Sequence, residues 1–140
     1  MYGMPGLRLG YGVCGDLELL KRLERMRQPW SISVVAQEAG EAAVRDTAHP
    51  ARTREYIRKE REWLLEQLRQ TGIECCKGEA NFIFFKSRPG LHAFAMMRGI
   101  MLRDCSNFEG MPQGYYRIAV RGREENEKLI GVLEQWQSQS

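Results

Sequence analysis

Apolar positions recur along this chain with two periods, and the change of period divides it. From Leu7 to Val13 they alternate: Leu7, Leu9, Tyr11 and Val13 fall on one side, Arg8, Gly10 and Gly12 on the other. That is the period of a strand. Gly15-Asp16 then punctuates, and Asp16 is a helix cap for a segment running to about Arg27. Its apolar residues Leu19, Leu20, Leu23 and Met26 have helical spacing. Pro29 breaks this helix. Ser31 or Ser33 starts another, through Val34, Val35, Ala39 and Ala42 to about Asp46. His49-Pro50 is a second break. A long helix over about Ala51 to Gln70 follows, with Ile57, Leu64, Leu65 and Leu68 as its stripe, Glu55 and Lys59 as an i,i+4 pair, and Gly72 as its end.

Beyond Gly72 the texture shifts to short apolar runs. "IECC" and "NFIFFK" read as strands, and residues 90–98 as a short helix turning Leu91, Phe94 and Ala95 inward. "IMLRD" and "YYRIAV" read as two more strands. "REENEKLIGVLEQWQ" closes as an amphipathic helix with Leu129, Val132, Leu133 and Trp136 on one side. The order β-β-α-β-β-α predicts an α+β layer, a mostly antiparallel sheet of about four strands covered by helices. Two parts follow. Residues 1–48 read as a strand and helices belonging to a larger α/β sheet, and residues 49–140 as a smaller domain led in by the long helix.

Composition narrows the function classes. The 140 residues are 43% hydrophobic and 28% charged, with a net charge of only +3. Basic residues are interleaved with acidic ones, as in "RTREYIRKEREW", which predicts a solvated helix face and argues against a nucleic-acid stripe. Cys14, Cys75, Cys76 and Cys105 form no CxxC pair and the two histidines are far apart, so no zinc site is expected. Free thiols fit a reducing cytoplasm. No run of about 18 apolar residues offers a membrane span, and the start has no charged-then-apolar leader.

Three arginines sit inside apolar runs. Arg8 is flanked by glycines, which let a ligand approach closely. Arg117 shares a face with Tyr115 and the small Ala119, opposite Tyr116, Ile118 and Val120. Arg103 lies within "IMLRDC". A guanidinium is a planar fork for phosphate or carboxylate. Two readings stay open from the pattern: an anion site, or three arginines on the wet side of a one-sided sheet. Asn81, at the mouth of "NFIFFK", is either a ligand hydrogen-bonding group or a turn residue. Asp46, Asp104, Ser31, Ser106 and the cysteines show no acid–base or nucleophile pattern, and the seven methionines read as core filler.

"MPGLRLGYGV" resembles the segment after the Schiff-base lysine in fold-type I pyridoxal-phosphate enzymes of the class I/II aminotransferase family. In that family an arginine in a Gly-x-Arg-x-Gly context follows the lysine by eight residues. "GLRLG" supplies the arginine, and counting back from Arg8 reaches the position immediately before Met1. "QPWSISVVAQEAG" is similar to the family's Pro-aromatic-x-x-Asn-x-x-Ala segment, with Ser33 in place of the asparagine. "GEANFIFFK" resembles its Ala-Asn-Phe strand. "GIMLRDCSNFEGMPQGYYRIAVRGREENEKLI" resembles its closing segment, with two arginines 14 apart. The resemblance covers essentially the whole chain, in order, and is greatest to the threonine-phosphate decarboxylase and histidinol-phosphate aminotransferase branches.

The resemblance implies roles. Arg8 would hold the phosphate of pyridoxal 5'-phosphate, Arg117 the substrate α-carboxylate, and Arg103 the substrate's distal phosphate, with Asn81 near the substrate. It implies a phosphorylated amino acid or amine as substrate, and a homodimeric cytoplasmic parent with neither nucleic acid nor membrane as partner. Lys21, Lys59, Lys77, Lys86 and Lys128 match no lysine position of the family. The expectation is therefore a C-terminal fragment, inactive by itself, whose first segment exposes surface that a large domain would cover. Two other classes compete: a non-catalytic anion- or small-molecule-binding α+β module, and a weak nucleic-acid binder using the Arg52–Arg69 helix.

Overall fold

The computed structural model describes residues 2–139; Met1 and Ser140, the outer ends of the two expected parts, lie outside them. Among the described residues five α-helices form: α1 (Leu17–Met26), α2 (Val34–Arg45), α3 (His49–Gln70), α4 (Leu91–Met96) and α5 (Arg123–Gln137). Three strands form among them: β1 (Phe82–Lys86), β2 (Arg103–Asp104) and β3 (Tyr115–Ala119). The described residues fall into two compact units that divide inside α3, between Thr53 and Arg54.

In the first unit the caps are those the side chains dictate. Asp16 Oδ1 accepts the Glu18 and Leu19 amides at 2.9 and 3.1 Å, and Ser33 Oγ accepts the Ala36 amide at 3.2 Å. Each cap satisfies donors a helix start leaves open. The strand expected over Leu7–Val13 does not form. Pro5–Leu7 make a single 3-10 turn, and the residues after it are irregular. Arg8 closes that turn in the left-handed region, φ 54°, its amide donating to the Pro5 carbonyl at 3.2 Å. A strand exists only as part of a ladder, and no described segment of this unit supplies one. Tyr11 and Val13 are therefore 95% and 91% exposed, and Arg8 lies on no strand face. Amphipathic helices alone do not make a core: Val34 and Val35 are exposed, and Ala36 is the buried hydrophobic of this unit among the described residues.

The second unit has the α+β layer. β3 runs antiparallel between β1 and β2, with Phe82 opposite Ala119, Phe84 opposite Arg117, and Arg103 opposite Arg117 on the other side. The sheet has three strands where about four were expected. "IECC" touches β1 through one bridge, Cys75 to Phe85, which is too little pairing for a strand. "IMLRD" contributes a ladder of two residues. Alternation sends Ile83, Phe85, Tyr116 and Ile118 to one face. There they pack with Leu64 and Leu68 of α3, Leu91, Phe94 and Ala95 of α4, and Leu129, Leu133 and Trp136 of α5. The Trp136 indole donates to Ser87 Oγ at 3.0 Å, so its polar edge is satisfied where its rings are buried.

The charged helix "RTREYIRKEREW" is not a uniformly solvated face. Glu60 and Arg61 are buried at adjacent positions of α3. Glu60 accepts from Arg123 Nε and Nη2, both at 3.1 Å, and from Asn126 Nδ2 at 3.3 Å. Asn126, itself buried, also bridges the Arg121 amide and carbonyl, tying the end of β3 to the start of α5. The Arg123 bond holds the Glu60 carboxyl below the usual glutamate value, burial opposing it and the Asn126 amide adding to it. Its stabilisation is complete above the ordinary carboxylate range and lost as pH falls through the lowered value. Glu60→Gln is thus expected to cost about 1–2 kcal/mol at pH 7 and less near pH 3, as the solution approaches the lowered value. Urea midpoints of both proteins at the two pH values check this; an equal gap at both would contradict it.

Candidate functional site

The outer face of the sheet carries the cations. On β3, Tyr115, Arg117 and Ala119 alternate away from the core, as expected from "YYRIAV". Their neighbours on that face are Phe82, Phe84 and Lys86 of β1 and Arg103 of β2. Phe84 and Tyr115 stack at 5.4 Å, and Lys86 Nζ lies 5.9 Å from the Tyr115 ring centroid. The Arg117 guanidinium sits 5.0 Å from the Phe82 ring centroid. Arg103 donates from Nη2 to Asn107 Oδ1 at 3.0 Å and lies 5.4 Å from the Phe108 ring centroid.

The electrostatics are unbalanced. Arg103 and Arg117 are direct cross-strand partners, and like charges in that position repel. Neither forms an ion pair among the described residues, whereas Arg58, Arg69, Arg121 and Arg123 in the same unit all do. Asp104, next to Arg103 in sequence, instead accepts the Ser106 amide at 2.9 Å. That bond holds its carboxyl below the usual range, with smaller help from His92 and Arg103. The site thus presents two forked donors that form no ion pair among the described residues, each beside an aromatic ring.

Asn81 is exposed just ahead of β1, and its carbonyl accepts the Val120 amide at 2.9 Å, extending the β1–β3 ladder by one bond. The structure therefore brings Arg103, Arg117 and Asn81 onto one small sheet. Arg8 belongs to the other unit. It is exposed and unpaired among the described residues, and open space lies where a side chain would start at Gly6, Gly10 and Gly12. Its donors and glycine neighbours fit a phosphate. Burial pushes the Cys75 thiol up to about 11 and raises Cys105 against the nearby arginines, which suits neither of these two to a nucleophile's role. Among the described residues no cluster of three or more His, Cys, Asp and Glu could hold a metal, and no helix is long and apolar enough to cross a membrane. Sequence reading missed Phe82 and Lys86 as neighbours of the arginines, although the alternation of "NFIFFK" marks both as outward.

The family model described as aminotransferase class I and II matches residues 1–133. The threonine-phosphate decarboxylase of Salmonella typhimurium is 33% identical over 136 residues, covering 94% of this chain and 37% of that protein. The histidinol-phosphate aminotransferase of Methanocella arvoryzae is 35% identical over 136 residues, with the same coverage of 94% and 37%. The crystal structure of the histidinol-phosphate aminotransferase from Clostridium acetobutylicum superposes with a TM-score of 0.92 at 27% identity, over 99% of this chain and 43% of that one. The L-threonine-O-3-phosphate decarboxylase from Porphyromonas gingivalis superposes with a TM-score of 0.81 at 27% identity, over 98% and 44%. The chain spans a little over a third of the length of these curated relatives. With the family model matched from residue 1 to residue 133, the chain belongs to the class I and II aminotransferase family.

Proposed function

We propose that this chain is the C-terminal part of a pyridoxal-phosphate-dependent enzyme acting on a phosphorylated amino acid or amine, of the threonine-phosphate decarboxylase or histidinol-phosphate aminotransferase type. The observation that carries the reading is the Arg103–Arg117 cross-strand pair, exposed and without an ion-pair partner among the described residues. Repulsion between two cations on adjacent strands is relieved by an anionic ligand, and a substrate with a carboxylate and a phosphate provides one group for each. Arg117 takes the α-carboxylate through its fork and Arg103 the distal phosphate. Asn81 stands at the substrate's edge, and Arg8 holds the cofactor phosphate. Residues 1–48 are then the end of the cofactor-binding domain, and residues 49–140 the small domain that carries the substrate arginines. The exposed apolar residues of the first unit fit a surface that the rest of that domain, and a homodimer, would cover. The same reading carries a cytoplasmic location with it.

Bound pyridoxal phosphate supplies an electron sink that lets the substrate α-carbon lose a proton or carbon dioxide. The residues of this chain bind and orient: they fix both anionic ends of the substrate, so that one bond to the α-carbon is held in line for cleavage. The lysine that carries the cofactor comes from sequence outside this chain.

The test is a pyridoxal-phosphate titration with borohydride trapping and intact mass, on this chain and on a longer protein carrying its upstream sequence. The longer protein is expected to gain one cofactor mass at a lysine ahead of Met1, and the short chain none. Stoichiometric trapping at one of Lys21, Lys59, Lys77, Lys86 or Lys128 would overturn the assignment. Binding of a phosphorylated amino acid with no cofactor uptake by either protein would favour the non-catalytic anion-binding module.

A further inference from the structure

Arg61 is a charged side chain only 8% exposed, and no carboxylate pairs with it among the described residues. Backbone carbonyls take its donors instead. Nη1 donates to the Ala80 carbonyl at 3.1 Å and to the Phe82 carbonyl at 2.6 Å, and Nη2 to the Gly78 carbonyl at 2.5 Å. A buried guanidinium is costly unless its donors are satisfied, and here three acceptors come from one five-residue stretch. That stretch, Gly78–Phe82, has no helical hydrogen bonds and joins the ladder only at its end, through Asn81 and Phe82. Arg61 is therefore the tie between a regular helix, α3, and an irregular loop. A helix position is rigid; a loop without its own ladder is not.

The loop leads directly to the site. It contains Asn81, and it ends in Phe82, whose ring lies under the Arg117 guanidinium. The neighbouring residue on α3, Glu60, fastens the opposite corner of the same ladder through Arg123 and Asn126. Adjacent residues of opposite charge thus hold both chains where β1 begins and β3 ends. We propose that Arg61 is a positioning residue for Arg117: by fixing the Gly78, Ala80 and Phe82 carbonyls it sets the Phe82 ring, and the ring sets the guanidinium above it. This rests on the reading of Arg117 as the substrate-carboxylate arginine.

Two measurements separate the clamp from that reading. In the folded chain, the 5.0 Å approach of the Arg117 guanidinium to the Phe82 ring is expected to bring the Arg117 side-chain proton resonances within that ring's current. Arg61→Met is expected to move them most of the way to values of an unstacked arginine. Arg61→Lys, which keeps the charge but cannot span three carbonyls, is expected to move them about half as far. Unchanged Arg117 resonances in folded Arg61→Met overturn the proposal; should that variant not fold, unchanged resonances in Arg61→Lys do so. In the longer, cofactor-loaded protein, Arg61→Met is expected to raise KM for O-phospho-L-threonine or histidinol phosphate about tenfold, with kcat within about twofold. Arg61→Lys is expected to recover part of that loss. A resonance shift without any KM change leaves the clamp standing and removes Arg117 from the substrate site. Equal losses in kcat and KM, unrelieved by lysine, mark Arg61 as a stability residue and overturn the proposal.

Discussion

Gly114→Ala is expected to lower the thermal midpoint by about 15 °C, a loss of about 3 kcal/mol for a unit of this size. Two independent costs add. Gly114 has φ 90°, a backbone region that costs an L-residue about 1–2 kcal/mol. A Cβ at this position would also lie 2.5 Å from the Ser87 carbonyl oxygen, which is backbone and cannot swing aside. Overpacking of that kind costs about 1–3 kcal/mol. The Gly114 carbonyl accepts the Ser87 amide at 2.8 Å, so moving either strand to relieve the clash breaks the bond that prolongs the β1–β3 ladder. Gly110 is the control. Its φ is 75°, but nothing lies within 4 Å of its added Cβ, so Gly110→Ala incurs the conformational cost alone, about 1 kcal/mol. Circular dichroism melts of the two variants decide the matter: equal midpoints would mean that the approach to Ser87 is not rigid.

Arg117→Gln is expected to reduce kcat/KM of the longer, cofactor-loaded protein about a thousandfold, leaving the thermal midpoint within about 2 °C. The reasoning is the asymmetry of charged hydrogen bonds: truncating one partner strands the other, and a desolvated carboxylate without its guanidinium costs about 4 kcal/mol. Stability is spared because Arg117 is exposed and forms no ion pair among the described residues. Arg117→Lys keeps the charge and loses the fork, so a loss nearer thirtyfold is expected. Arg103→Gln should instead erase the preference for the phosphorylated substrate over its unphosphorylated analogue, while the analogue itself is turned over as before. Steady-state kinetics on both substrates tests this. A drop of less than fivefold in Arg117→Gln would exclude the carboxylate role.

Much of this was legible in the chain and some of it was not, for reasons that differ by residue. Asp16 and Ser33 announce their helices because a cap is a local bond, made by a side chain to amides two or three residues on. The inward stripe of α5 and the alternation of β3 were readable for the same reason: a period of 3.6 or 2 is a property of the nearest few residues. Arg8, Arg103, Arg117 and Asn81 stood out because polar groups at special positions in apolar runs need an explanation. Alternation over Leu7–Val13 was equally clear and no strand formed, since pairing depends on a partner that period does not reveal.

The tertiary structure decided what distant segments do to one another. It set Arg103 against Arg117 across two strands, and only that register turns two separate guanidinia into a site short of negative charge. It took Glu60 and Arg61 out of what reads as a solvated face, because Arg123 and the Gly78–Phe82 carbonyls arrive from 17 to 63 residues away. It made Gly114 indispensable through the approach of Ser87. The sequence by itself determined the caps, the periods and the arginines, all of which depend on neighbours along the chain. Register, burial of charge and the company each arginine keeps depend on neighbours in space, and those exist only once the sheet and α3 have closed on each other.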